Sequence, residues 1–394
     1  MGPIMEGGRM AASVMTGARA AERRPGGRRR LTRHRPRTPR NMRSRHVEEG
    51  AFGRAAQERA AAEAEAEIGR LCERLAEGLA MGLDEGREMV GGAMAEFLVD
   101  FFETVRAKGS RPGVRGMVAL PMLVHGAEAG DPAPARPLAV VHLLWWAAAR
   151  YLDDLTDAPG APSAGNTAVA KRVLTALAVG GQLPARLVAD LPVPDAVRCG
   201  LADEVSRAWL DAVDGQLRDL TDRPSAATPA SVLRAYAGKT GAPYAMAAAS
   251  AARLAGAGAD RAGGWRAFGR RLGVLRQLVN DQRDLASGRH EDLANGTATY
   301  LLAHLLSALP AARRREALAL HAGARHSACA RAELTAWMLD DDVLDGYAAS
   351  VAPLVGHAHD LLGLLGGDPA FVRGLHDLVD ETAAHLPGPR LAVA

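Results

Sequence analysis

The chain has 394 residues, of which 48% are hydrophobic and only 4% aromatic, a balance that supplies a large core and favours closely packed helices over a β-sandwich. The formal net charge of +3 hides an asymmetry, because residues 1–46 carry +11 and the remainder carries −8. Three widely separated cysteines argue against a disulfide framework, and the longest apolar run is too short to cross a bilayer, so we expect a cytoplasmic protein.

Residues 1–50 are predicted to form a disordered basic tail. The segment is rich in Gly, Pro and Arg and has no hydrophobic periodicity. A basic tail can contact nucleic acid or another anionic surface. A solvated extension is the simpler interpretation, so no nucleic-acid partner is expected, although a recruitment segment and a true start at Met42 stay open.

Residues 51–390 are predicted to form one all-α domain. Helical periodicity begins near residue 53, Pro- and Gly-rich joints separate later helical stretches, and no alternating pattern indicates a strand. The predicted helices lie at about 53–83, 86–109, 116–128, 136–157, 166–180, 195–221, 228–256, 262–286, 297–307, 311–338, 341–364 and 368–386.

The first acidic cluster lies in the stretch ARYLDDLTD, residues 149–157. Asp153 and Asp157 are four residues apart and share a helix face, where two carboxylates repel each other. The apolar sequence before them predicts a buried helix, and buried carboxylates require a cation. Asp153, Asp154 and Asp157 are therefore candidate metal ligands, with a solvated helix face as the alternative.

The second cluster lies in RQLVNDQRD, residues 276–284, which contains Asn280, Asp281 and Asp284. Oxygen ligands on two separate helices can face each other across a cavity, which suits Mg²⁺. A metal site of this kind binds a diphosphate and makes it a leaving group. An allylic diphosphate is the substrate that needs such a site.

With these motifs the sequence resembles the trans-prenyl diphosphate synthases, or polyprenyl synthetases, of the class I isoprenoid synthase fold, over about residues 95–385. DDLTD resembles the family's first aspartate-rich motif, DDxxD, and RQLVNDQRD resembles the second, with Asn280 in place of an aspartate. GQLRDL at 215–220 and YAGKTGAPYAMAAA at 236–249 resemble two further family segments. The family lysine that binds the allylic diphosphate corresponds to Lys239.

The resemblance implies a fold, a cofactor and partners. The expected fold is a bundle of about ten or more helices around a central cavity. The expected cofactor is Mg²⁺, as two or three ions, and the expected substrate is an allylic prenyl diphosphate. The family commonly forms dimers, so a homodimer is expected.

The region that holds isopentenyl diphosphate in the family departs from the family pattern. The GGKRxRP element reads GSRPGVRG at 109–116, which keeps only Arg111 and Arg115. A family histidine is replaced by Trp146, and no arginine pair follows the first motif. The half of the site that ionises the allylic substrate is thus predicted to be intact, and the half that binds the acceptor to be reduced.

These comparisons give each candidate residue a predicted role. Trp146 shares a helical stripe with Asp153 and Asp157, so its indole could face a developing cation, or it could be a core residue. Arg276, Arg283 and Arg289 could bind phosphate, with Arg283 and Arg289 favoured, or they could pair with neighbouring acids. Predicted catalytic residues are Asp153, Asp157 and Lys239; predicted substrate contacts are Arg115, Trp146, Lys239, Gln277, Arg283 and Arg289; and predicted metal ligands are Asp153, Asp154, Asp157, Asn280, Asp281 and Asp284.

A third acidic stretch, LDDDVLD at 339–345, also fits DDxxD. It follows the second motif and has no partner motif, so we interpret it as a helix N-terminus, where acidic side chains are favoured.

Three functions follow from the sequence. The first is a Mg²⁺-dependent prenyltransferase that ionises an allylic diphosphate. The second is a terpene cyclase that releases diphosphate from a linear prenyl diphosphate. The third is a non-catalytic partner subunit of a prenyl synthase.

Overall fold

A computed structural model describes residues 52–76, 88–107, 111–157 and 167–387 of the chain. Sixteen α-helices form the framework of these residues. Within these ranges there is no strand, which confirms the predicted all-α class. The predicted basic tail, residues 1–50, lies outside the described residues. The helices are α1 (Arg54–Ala76), α2 (Glu88–Ala107), α3 (Arg111–Ala129), α4 (Arg136–Asp157), α5 (Thr167–Leu177), α6 (Leu183–Ala189), α7 (Asp195–Thr221), α8 (Pro229–Lys239), α9 (Gly241–Leu254), α10 (Ala259–Ala286), α11 (Glu291–Asn295), α12 (Tyr300–Ala308), α13 (Ala311–Ala324), α14 (Ala328–Met338), α15 (Asp341–Leu365) and α16 (Pro369–Ala383).

Local sequence signals explain where several helices begin and end. The predicted helix at 228–256 divides at Thr240 into α8 and α9, and Pro243 lies in the first turn of α9, where its missing N–H costs no hydrogen bond. The predicted helix at 311–338 divides before α14, because Ser327 accepts a hydrogen bond from the backbone N–H of Ala330.

The stretch LDDDVLD begins helix α15, as predicted. The side chain of Asp340 caps the helix by accepting a hydrogen bond from the backbone N–H of Asp342 at 3.1 Å. Asp341 and Asp342 occupy the first turn, where the positive end of the helix dipole favours carboxylates.

Helix α9 lies at the centre of the fold, and its residues 241–252 are all buried. Its neighbours approach it closely because the contact positions carry glycine. A Cβ added to Gly269 of α10 would lie 2.2 Å from the carbonyl oxygen of Tyr244, and one added to Gly273 would lie 2.6 Å from that of Thr240. The small residues therefore allow the backbones of α9 and α10 to touch.

Helices α7 and α8 make a second close crossing. A Cβ added to Gly215 would lie 2.3 Å from the backbone nitrogen of Lys239 and 2.7 Å from the Cα atom of Gly238. Only glycine fits at this crossing. It brings Gln216 and Lys239, the residues that follow the two glycines, to the same cavity.

In the described ranges, none of the helices combines the length and the apolar character that a membrane span requires.

Candidate active site

A cavity of about 580 Å³ opens between helices α3, α4, α7, α8, α9 and α10. Aromatic and apolar side chains form one part of its wall, and charged and amide side chains form the other. The charged and amide side chains are Arg150, Asp153, Gln216, Lys239, Arg276, Gln277, Asn280 and Arg283.

Lys239 is the centre of a buried charge cluster that joins three helices. Its Nζ atom lies 2.7 Å from Oδ1 of Asp153 on α4 and 2.8 Å from Oδ2 of Asp219 on α7. Gln216 donates a hydrogen bond to the same oxygen of Asp153 at 3.2 Å. Asp153 is thus held in place by two side chains, while 30% of its own side chain is exposed.

The charge of Lys239 is secured by its two carboxylate neighbours. Burial alone lowers the pKa of Lys239, but Asp153 and Asp219 raise it by more, so its pKa lies above the ordinary value. The ammonium group therefore stays protonated at any physiological pH.

The other two aspartates of the first cluster, Asp154 and Asp157, belong to the last turns of α4. Their side chains lie outside the described part of the chain. Their predicted roles as metal ligands, and that of Asp157 in catalysis, stay predictions.

Two residues of the second cluster do not line the cavity. Asp281 is buried, accepts a hydrogen bond from the hydroxyl of Tyr236, and accepts another from Gln277 at 2.9 Å. Burial raises the pKa of Asp281 to about 7, against the lowering effect of these hydrogen bonds. The hydroxyl of Tyr236 also accepts a hydrogen bond from the backbone N–H of Tyr300 at 3.1 Å, so Asp281 takes part in holding α8, α10 and α12 together.

Asp284 stabilises the turn between α10 and α11. Its carboxylate accepts hydrogen bonds from the backbone N–H groups of Glu291 at 3.1 Å and Asp292 at 3.2 Å, at the start of α11. The expectation that Asn280, Asp281 and Asp284 would face the cavity together therefore holds for Asn280 only. The two carboxylates accept hydrogen bonds from side chains and backbone N–H groups, and the sequence pattern does not predict these partners.

The face of α10 that does line the cavity is cationic. Arg276, Asn280 and Arg283 are spaced at i, i+4 and i+7 and all three line it. Burial lowers the pKa of Arg283, and so does the neighbouring charge of Arg276. Gln277, also in the wall, accepts a hydrogen bond from the hydroxyl of Thr240 at 2.5 Å.

The apolar part of the wall contains three tryptophans, Trp145, Trp146 and Trp209. Trp146 and Ala149 line the cavity together with Asp153, so the described part of the predicted helical stripe faces the cavity. The indole of Trp146 meets Phe101 edge to face, with the ring centroids 5.1 Å apart.

Ala148, the residue before Ala149, is fully buried and does not line the cavity. It packs against Gly180 so closely that a Cβ added to Gly180 would lie 2.5 Å from its own Cβ.

Two predicted substrate contacts lie away from the cavity wall. Arg115 of α3 pairs with Glu381 of α16 at 2.6 Å, and only 11% of its side chain is exposed. Arg289 lies after α10, with its Nε atom 3.7 Å from Asp284. Glu381 is distant from Arg115 in sequence, so the sequence alone does not show that pair, whereas Asp284 is one of the neighbouring acids that the sequence offers to Arg289.

Several residues of the cavity or the charge cluster, among them Gln216 and Asp219, were absent from the predicted site. Both belong to the GQLRDL segment, so the motif contained the signal for them. The sequence made Arg276 a candidate phosphate contact, although Arg283 and Arg289 were favoured over it.

The donor atoms of the α4 wall suit a hard divalent cation. The carboxylate of Asp153 lies at the cavity surface, and carboxylate oxygens are the ligands that Mg²⁺ prefers. The α10 wall offers an amide at Asn280 and two guanidinium groups. Within the described residues no group of three or more His, Cys, Asp or Glu side chains is arranged to hold a metal ion.

Part of the sequence is similar to a known protein family. Residues 169–334 match the model of the polyprenyl synthetase family. This segment contains GQLRDL, Lys239 and the second cluster, and begins after the first cluster. A search of curated protein sequences gives no match.

Solved structures with the same fold are numerous. A geranylgeranyl pyrophosphate synthetase from Pyrococcus horikoshii Ot3 is 18% identical, with 82% of this chain and 98% of that chain covered and a TM-score of 0.63. A decaprenyl diphosphate synthase from Rhodobacter capsulatus is 20% identical, with 84% and 99% covered and a TM-score of 0.63. A polyprenyl synthase from Caulobacter crescentus CB15, complexed with calcium and isoprenyl diphosphate, is 20% identical, with 83% and 96% covered and a TM-score of 0.63. These likenesses establish the fold.

The charge cluster at Lys239 predicts a pH-dependent loss of stability. Lys239→Met leaves Asp153 and Asp219 facing each other without a cation, which should cost about 3 kcal/mol at neutral pH. The repulsion requires both carboxylates to be charged, so the stability of the variant should be closest to wild type below about pH 4 and fall as the pH rises. Urea denaturation at pH 4 and pH 8 measures the difference.

Lys171 provides the matched control, because it pairs with Glu96 at 2.8 Å while both side chains are more than half exposed, at 55% and 62%. Lys171→Met should change stability by less than about 1 kcal/mol at either pH. An equal loss for the two lysine variants, or a loss for Lys239→Met that does not depend on pH, would contradict the role given to Lys239.

Proposed function

We propose that the chain is a prenyltransferase of the polyprenyl synthetase family. Its proposed reaction is the ionisation of an allylic prenyl diphosphate with the help of a divalent metal ion. The observation that carries this proposal is the juxtaposition of Asp153 and Lys239 with an aromatic-lined cavity. A diphosphate needs cations, and the carbocation left behind needs an apolar, water-poor enclosure. Both surroundings meet at this cavity.

The α4 wall is proposed to hold the metal. Asp153 would be a ligand, together with Asp154 and Asp157 of the same helix end. A divalent cation, when bound, supplies positive charge that stabilises the departing diphosphate. Asn280, Asp281 and Asp284, the predicted ligands on α10, fit this role less well, since Asn280 is neutral and the two carboxylates do not line the cavity.

Lys239 is proposed to bind the diphosphate directly. Its ammonium group lines the cavity and carries a secure charge, and the two carboxylates restrict its position. A donor fixed in this way can hydrogen-bond to a phosphate oxygen without first being ordered by the substrate. It would also retain the diphosphate after the carbon–oxygen bond breaks.

The prenyl chain is proposed to occupy the aromatic part of the cavity. Trp145, Trp146 and Trp209 exclude water there, and Trp146 lies on the same helical stripe as Asp153. The face of an indole attracts a cation, so Trp146 can stabilise the allylic carbocation.

The acceptor is proposed to differ from isopentenyl diphosphate. A second diphosphate requires several fixed cations of its own. Arg115, one of two arginines left in the acceptor segment, is committed to Glu381 instead. The same observation favours a second candidate, a terpene cyclase, in which the prenyl chain attacks itself.

A homodimer is proposed, formed through α7. Leu210, Val213, Leu217 and Leu220 recur at i, i+3, i+7 and i+10 on this helix and are exposed by 71%, 49%, 55% and 52%. An apolar stripe with this spacing is self-complementary and can pair with the same stripe of a second copy. Val213 also lines the cavity, so the partner would cover one of its edges.

Diphosphate release from a single substrate tests the proposed function. Purified protein with Mg²⁺ and farnesyl diphosphate should release diphosphate without isopentenyl diphosphate, because the ionising residues are present and most of the family's acceptor cations are missing from the sequence. A phosphate-coupled release assay, with product analysis by mass spectrometry, measures it. Negligible release alone, together with linear elongation on addition of isopentenyl diphosphate, would contradict the proposal.

Two aspartate variants make the assay specific. Asp153→Asn should lower release at least about a hundredfold, since it removes a carboxylate ligand while keeping the side-chain shape. Asp342→Asn, at the start of α15, should leave release unchanged, because this aspartate serves only the helix terminus.

The dimer proposal has its own measurement. Light scattering coupled to size-exclusion chromatography should give a dimer for the wild type and a monomer for the double variant Leu210→Glu with Leu217→Glu. Leu364→Glu is the control, because Leu364 is 84% exposed on α15 and lies off the stripe. A monomeric wild type, or a Leu364→Glu variant that dissociates equally, would refute the interface.

A further inference from the structure

The α10 wall of the cavity carries two guanidinium groups on one helix face. Arg276 and Arg283 are seven residues apart, about two turns, with Asn280 between them, and all three line the cavity. The carboxylates of this segment, Asp281 and Asp284, are turned into the protein, where they bond to Tyr236 and to the backbone after α10. The surface that α10 presents to the cavity is therefore positive.

Neither guanidinium is neutralised by a carboxylate among the residues that the structure describes. By contrast, Arg266 and Arg270 of the same helix are neutralised, because Arg266 pairs with Glu204 and Arg270 pairs with Asp211 at 2.6 Å. Arg276 and Arg283 form no such pair within the described ranges. Besides burial, the positive charge of Arg276 acts on Arg283 and lowers the pKa of its guanidinium group. Two like charges held side by side at a cavity surface are unfavourable by themselves and favour a bound anion.

The spacing suits an anion with several oxygens. A guanidinium group donates two parallel hydrogen bonds, which match the oxygens of a phosphate group. Two such groups on one helix face can grip the two halves of a diphosphate. Asn280 adds an amide donor between them, whereas a carboxylate at that position would cancel much of the positive field.

We infer that Arg276, Asn280 and Arg283 form a clamp that binds the diphosphate of the allylic substrate directly and supplies on α10 the positive charge that a metal would otherwise supply there. The inference rests on the proposed function, since it concerns the diphosphate of the same substrate. It assigns the metal to the α4 wall and fixed cations to the α10 wall. Binding of a diphosphate should therefore persist, more weakly, when no divalent metal is present.

Calorimetric titration of the full chain with inorganic pyrophosphate in EDTA tests the clamp. The wild type should bind, and Arg276→Gln and Arg283→Gln should each weaken binding about tenfold, the usual effect of losing a charge-assisted hydrogen bond. Arg271→Gln is the matched control, because Arg271 lies on the same helix but lines a different groove. It removes the same charge and should leave affinity unchanged.

Lysine variants and a second ligand make the test specific to the two guanidinium groups. Arg276→Lys and Arg283→Lys should retain part of the affinity, since they keep the charge and lose the paired geometry, and circular dichroism should show native helicity throughout. The affinity for farnesyl diphosphate should depend on the two arginines in the same way as the affinity for pyrophosphate. The clamp is refuted if the wild type does not bind pyrophosphate in EDTA, if Arg271→Gln weakens binding equally, or if only isopentenyl diphosphate responds to the arginine variants.

The outcomes separate the clamp from the proposed function. If pyrophosphate fails to bind in EDTA while Mg²⁺-dependent release from farnesyl diphosphate proceeds, the clamp is wrong and the proposed function stands. If pyrophosphate binds as expected and no prenyl diphosphate is turned over, the anion site stands and the proposed enzyme does not.

Discussion

The ion cluster of Lys239 with Asp153 and Asp219 is the interaction on which the candidate site depends. It ties α8 to α4 and α7 through contacts of 2.7 and 2.8 Å in a largely buried setting. Removing Lys239 would leave two carboxylates without a cation in this setting, which is far more costly than losing an exposed pair. The cluster therefore fixes both Asp153 and the lysine relative to the cavity.

This arrangement is possible only because glycine lines the helix crossings beneath it. Gly215 and Gly238 let α7 and α8 touch, and that contact places Gln216 and Lys239 within reach of Asp153. Similar contacts at Gly269 and Gly273 bring α10 onto α9. The high Ala and Gly content of the chain is thus a condition for the narrow spacing of the helices that surround the cavity.

The α4 and α10 walls of the cavity present different charged groups. The α4 wall presents Asp153 together with Arg150, whereas the α10 wall presents Arg276 and Arg283 around a neutral Asn280. Such a site favours a leaving diphosphate held between metal and fixed cations. It gives little support to a non-catalytic subunit, because the lysine cluster and the aromatic enclosure are retained.

Much of this fold could be predicted from hydrophobic periodicity and breaker residues. The bounds of α4 and α7 agree with the sequence, and the acidic stretch at 339–345 begins α15 as predicted. The second cluster could not be resolved, because Asp281 and Asp284 are captured by Tyr236 and by backbone groups after a chain reversal. Arg115 was misplaced for the same reason, since its partner Glu381 is 266 residues away. Sequence spacing identifies a helix face, and the partner of each side chain depends on the tertiary contacts.

The position of bound metal tests the central claim most directly. Crystals grown with Mn²⁺ and pyrophosphate should show anomalous scattering at ligand distance from Asp153 and none at ligand distance from Asn280, with Arg276 and Arg283 on the diphosphate oxygens. Mn²⁺ bound by Asn280, Asp281 or Asp284, with the two arginines turned away from the diphosphate, would contradict the account.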